Sequence, residues 1–112
     1  MVTTPDISSL FGALADPTRQ HVVRVLSAGP RRAGELATAS GTSAPTMSRH
    51  LRVLLDAGIV ADERPAQDAR ARVFRLRAES MDAVQAWLQE LKADADRQLV
   101  SFKRHVERGG RA

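Results

Sequence analysis

The chain has 112 residues, 17 basic and 13 acidic side chains for a net charge of +4, and no cysteine. That length builds one core rather than two, and the missing thiols exclude disulfides, cysteine nucleophiles and thiolate metal sites. No run approaches the roughly 18 apolar residues of a membrane span, residues 1–10 lack the charged-then-apolar pattern of a secretory signal, and the basic excess asks for an anionic partner, nucleic acid before a membrane surface; a cytoplasmic protein is expected.

Ile7, Leu10, Phe11 and Leu14 recur at helical spacing and predict a short first helix. Asp16-Pro17 marks the next start, because aspartate caps a helix and proline loses nothing at its first position. The second helix presents Val22, Val23, Val25 and Leu26, and ends near Gly29-Pro30. A third helix is predicted over about 33–40, with Leu36 and Ala37 inward. Gly41-Thr42-Ser43 forms a tight turn, and Ser43 caps a fourth helix over 44–57 whose buried stripe is Met47, Leu51, Leu54 and Leu55. Gly58 closes it. The apolar period then changes from about 3.6 to 2. Residues 59–64 read as one strand, 65–71 as a polar turn, and 72–77 as a second strand with Phe74 and Leu76 inward. From Glu79 to about His105 the pattern is helical again. Met81, Val84, Leu88, Leu91, Ala95, Leu99, Phe102 and Val106 make a sustained apolar seam, on a helix of about 40 Å. Much of that seam has nothing to cover it in so small a monomer, which points to a second copy.

The charge is not spread evenly. Residues 31–77 hold nine arginines against five acids, while residues 1–30 and 78–112 each balance. The basic third coincides with two helices joined by a glycine turn and followed by a hairpin, the pattern of a helix-turn-helix with a wing. The fourth helix turns Ala44, Pro45, Ser48, Arg49 and Arg52 outward. Small residues at its start allow close approach to base edges, Thr46 adds a hydroxyl and a methyl, and Arg49 can fork onto guanine. For other side chains two readings stand. His50, at the border of the buried stripe, either contacts DNA or bonds to a neighbouring helix. Arg31 and Arg32 contact phosphate or are merely solvated. Arg72, Arg75 and Arg77 steer DNA or keep the hairpin edge soluble. His21 reads as structural or surface. Trp87 packs in the core or a dimer, or lines a ligand pocket.

The segment GTSAPTMSRHLRVLLDAGIV at 41–60 resembles the recognition region of the ArsR/SmtB family of winged-helix repressors, and FGALADPTRQHVVRVL at 11–26 resembles that family's second-helix signature. The resemblance covers roughly residues 7–105. It implies a cytoplasmic homodimer that represses transcription at an operator until an effector relieves it. It places Thr46, Ser48, Arg49 and His50 on the DNA-reading helix and Arg70 at the wing tip. It also puts the dimer interface on the first and last helices, here Ile7, Leu10, Phe11, Leu14, Val84, Leu88, Leu91, Leu99 and Phe102. Three departures matter. The stretch Arg32-Ala33-Gly34-Glu35-Leu36 has no cysteine where founding members bind metal. The last helix offers only His105, with Arg108 three residues on, and Asp82 is followed by Val84, so neither histidine-carboxylate pair of other members is present. Ala69 stands where a wing-tip glycine is common.

The expected fold is mainly helical with a small β-hairpin, a winged helix-turn-helix of order α-α-α-α-β-β-α, filling 1–106 with 107–112 as a tail. The expected function is a homodimeric repressor on double-stranded DNA at an inverted repeat, with no metal or other cofactor, no membrane partner and no catalysis, since neither a phosphate loop nor a nucleophile-base set is present. An unknown small organic effector near the long helix, or none at all, fits equally well. The rival reading is a protein-interaction module whose long helix pairs with a different protein and whose basic face is incidental.

Overall fold

The computed structural model describes residues 6–109. Five helices and three short strands follow in the order α1 (Ile7–Ala13), α2 (Pro17–Ser27), β1 (Arg31–Arg32), α3 (Ala33–Ser40), α4 (Ala44–Asp56), β2 (Val60–Glu63), β3 (Val73–Leu76) and α5 (Ala78–Gly109).

The local signals explain most boundaries. Asp16 caps α2 by accepting the Arg19 backbone N–H at 3.0 Å, with Pro17 in the first turn. Ser43 caps α4 by accepting the Thr46 backbone N–H at 3.3 Å. Gly41, at φ 64°, ends α3 in the left-handed region, where a side chain would be strained. Gly58, at φ 77°, does the same just past α4.

The sheet corrects the expected hairpin. It has three strands in the order β1-β3-β2, all antiparallel. Arg31 pairs with Phe74 and Arg32 with Val73, so the two arginines read as loop residues form a strand. The second edge of β3 would otherwise carry unpaired backbone groups, and two residues of pairing cover it.

The core joins Leu10, Val22, Leu26, Leu36, Met47, Leu51, Leu54, Ile59, Val60 and Phe74, drawn from every element except β1 and α5. Met81, Ala83 and Val84 at the start of α5 pack against it, whereas beyond Val84 the helix is exposed throughout. A chain of this length folded into a ball has a radius of gyration of about 13 Å. Here it is 20.2 Å, with extents of 76 × 33 × 21 Å, because α5 projects. Its 32 residues also run beyond the expected end near 105 and carry residues 107–109 into the helix. Residues 110–112 of the expected tail lie outside the described residues. Among the described residues no helix is long and apolar enough to cross a membrane.

Candidate nucleic-acid interface

The inner face of α4 is fixed by Met47, Leu51 and Leu54, all at most 2% exposed. Helical geometry then forces Pro45, Ser48, Arg49 and Arg52 outward, and each is exposed, as is Ala44 at the helix start. Thr46 is half-buried. Its hydroxyl accepts a 2.9 Å hydrogen bond from Ser43 Oγ, so it serves the turn as well as the surface. Val53, absent from the expected outward set, stands one turn below Arg49 and is 39% exposed; its i+4 spacing from Arg49 is the signal that marks it.

The arginines divide by what they touch. Arg72 donates from Nε to Asp62 at 2.6 Å and lies over the Phe74 ring at 5.0 Å. Arg75 donates from Nε to Glu63 at 2.7 Å. Both are diagonal cross-strand pairs that tie β3 to β2. Arg72, expected among the DNA-contacting residues, therefore spends its Nε inside the wing, although its side chain stays 44% exposed. The Arg72 hydrogen bond is also the main reason the Asp62 carboxyl titrates below the ordinary aspartate value of 3.8. Arg52 faces Asp56 at 3.7 Å on the solvent side of α4, and Arg77 faces Glu79 at 3.9 Å. Arg31, Arg32, Arg49, Arg64 and Arg70 form no ion pair among the described residues. Within residues 31–77 the unpaired arginines thus sit on α4, on β1 and around the wing tip.

At that tip no glycine is needed, since no non-glycine residue among those described has positive φ. The Asp68 side chain accepts the Arg70 backbone N–H at 3.0 Å, the Ala71 N–H reaches the Asp68 carbonyl at 3.1 Å, and Arg64 Nη1 donates to the Ala69 carbonyl at 3.0 Å. Aspartate closing its own turn explains why Ala69 is tolerated. Arg70 is exposed beside it.

His50 does not face outward with Arg49. Its side chain is 17% exposed, and Nδ1 lies 3.3 Å from Arg19 Nη1 and 4.0 Å from Asp16 Oδ1. Of its two readings, the bond to a neighbouring element is the one observed. His21 likewise places Nε2 3.1 Å from the Ala39 carbonyl.

A second exposed feature flanks the domain. Leu88, Leu91, Leu99, Phe102 and Val106 are all at least half exposed along α5. Phe11 of α1 meets Trp87 edge-on, with ring centroids 5.0 Å apart and planes at 76°, so the indole packs α1 onto α5. Ile7, Leu14 and Val84 are half-buried at the rim of the core. Leu10 corrects the expected interface set: at 0% exposure it points into the domain's own core and has no surface left to offer a partner. Among the described residues no three histidine or carboxylate side chains gather as a metal cluster.

A helix-turn-helix with an outward arginine on its second helix, a capped turn and a basic wing define a winged helix-turn-helix DNA-binding protein. The comparisons agree. A helix-turn-helix domain model matches residues 14–63. The chain is 34% identical over 61 residues to the transcriptional repressor SdpR of Bacillus subtilis, covering 54% of this chain and 68% of that protein. It is 33% identical to a crystallised ArsR family transcriptional regulator, with a TM-score of 0.73 and coverage of 80% of this chain and 96% of the other. It is 25% identical, at a TM-score of 0.61 and 80% coverage of both chains, to a homodimeric winged helix-turn-helix DNA-binding domain from Mycobacterium bovis solved by NMR. The chain belongs to the ArsR family of winged helix-turn-helix transcriptional regulators.

Proposed function

We propose that the protein is a homodimeric transcriptional repressor that reads an inverted-repeat operator. Arg49 carries the reading. It is exposed, forms no ion pair among the described residues, and stands one turn into a helix whose start is small and capped. Two copies would join through α5 and the exposed part of α1, since that seam is the large uncovered apolar surface and the Mycobacterium bovis neighbour is a homodimer. Two-fold symmetry then sets the two α4 helices about one turn of DNA apart, with Arg70 on the flanking backbone. Repression, rather than activation, follows the likeness to SdpR. The chain has no cysteine with which to sense a soft metal, so relief of repression would fall to another signal, such as a small organic effector.

The test is a gel shift and footprint on the DNA upstream of the coding sequence, in the cytoplasmic setting such regulators need. A protected palindrome is expected. Weak, uniform binding to any duplex would sink the specific-repressor reading. A stable monomer in sedimentation, with no DNA affinity, would favour the interaction-module reading.

A further inference from the structure

Apart from the His21–Ala39 contact, the side-chain polar contacts that join separate helices among the described residues converge on the corner between α1 and α2. Pro17, four residues after Ala13, has no N–H to give the Ala13 carbonyl. Arg19 fills the gap, donating from Nε at 2.6 Å, and its Nη2 reaches the Gly12 carbonyl at 3.4 Å. The third nitrogen of the same guanidinium, Nη1, lies 3.3 Å from His50 Nδ1. For Arg19 to donate there, His50 must be neutral with its proton on Nε2. Asp16 anchors the Arg19 backbone N–H at 3.0 Å and faces the same histidine nitrogen at 4.0 Å.

This corner has two neighbours. On one side is α1, whose Phe11 packs on Trp87 of α5. On the other is α4, held by the residue next to Arg49. Along its length the other contacts of α4 are apolar, from Met47, Leu51, Leu54 and Leu55, and apolar contacts are non-directional. They fix how deep the helix sits better than how it is rolled. A hydrogen bond to a planar guanidinium has direction.

We propose that Arg19 and His50 are positioning residues for DNA reading: through them the seating of α1 and α5, where two copies join, sets the roll of α4 and so the aim of Arg49. The inference rests on the homodimeric reading. Its signature is a loss of discrimination between sequences that exceeds any loss of affinity for DNA at large.

The test compares wild type with His50→Leu, His50→Asn, Arg19→Leu, Arg19→Lys and the Arg19→Leu/His50→Leu double variant. Each is titrated with a duplex recovered by the wild-type protein from a randomised pool, and with a scrambled duplex of the same composition. His50→Leu is expected to lose about tenfold in the ratio of the two affinities, and the double variant no more than either single, as for residues acting as a unit. His50→Asn, whose Oδ1 stands where the histidine has Nδ1 and can accept from Arg19, should recover most of the ratio. Arg19→Lys keeps the charge and loses the fork, and should lose discrimination while still unfolding cooperatively. Equal losses on both duplexes, additive losses in the double variant, or an Arg19→Lys protein that discriminates like wild type would each overturn the proposal. A wild-type protein that enriches no sequence removes the sequence-reading function first, and the positioning role with it.

Discussion

Helices α4 and α5 share one apolar period and have opposite fates. On α4 the stripe is complete within its own chain, with Met47, Leu51 and Leu54 nearly inaccessible. On α5 the same kind of stripe is bare, with Leu99 66% and Phe102 67% exposed. Their charges do not separate them, since each helix holds an ion pair of its own, Arg52 with Asp56 on α4 and Arg97 with Asp94 on α5. Amphipathic spacing therefore says only that a face will be covered. What covers it depends on whether the rest of the chain can reach, and α5 outruns the domain. One helix is finished by folding and offers its polar face to DNA; the other, in the proposed dimer, is finished by a second copy.

That contrast can be broken most severely on α5. Leu99→Asp with Phe102→Asp should abolish the dimer in sedimentation. Operator affinity should then fall by roughly 10²–10⁴, the avidity lost when two linked half-site contacts become one. The matching lesion on α4 is a folding defect: Leu54→Ala empties a fully buried site and should cost about 2–5 kcal/mol in urea unfolding. Arg49→Ala should leave the fold intact and cost about 1–3 kcal/mol of discrimination at one position in each half-site, read by competition with single-base variants. Arg70→Ala should weaken all sequences alike and reduce the salt slope by about 1.

The smallest effect concerns the wing in acid. The Asp62 carboxyl is held below its ordinary 3.8 chiefly by the Arg72 hydrogen bond. A depressed folded value contributes stability that is present above the ordinary value and lost as pH falls through the folded one. The β2–β3 pairing should accordingly survive to below pH 3.8 and loosen only in stronger acid, and Asp62→Asn should remove that acid-dependent step. NMR of the wing amides in an acid titration checks it.

Much of the domain was legible because its signals are local. Asp16-Pro17, Ser43, Gly41 and Gly58 each act within a few residues, and the helices they bound fall where expected. Most of the missed features are set by distant residues. Two arginines carry no strand periodicity, and β1 exists only because β3 has an edge to fill. Whether His50 turns outward with Arg49 depends on Arg19, 31 residues earlier in the chain. That Arg72 belongs partly to the wing follows from a strand register no spacing displays. Leu10 looked like one of a set with Phe11, yet a seven-residue helix lying on a core buries one side and leaves the other.

The most direct measurement is selection of duplexes from a randomised pool by the wild-type protein, followed by sequencing. The expected product is a palindrome with half-site centres one helical turn apart, roughly 34 Å. Enrichment of a single unsymmetrical site, or of none, would contradict the paired α4 helices on which this account rests.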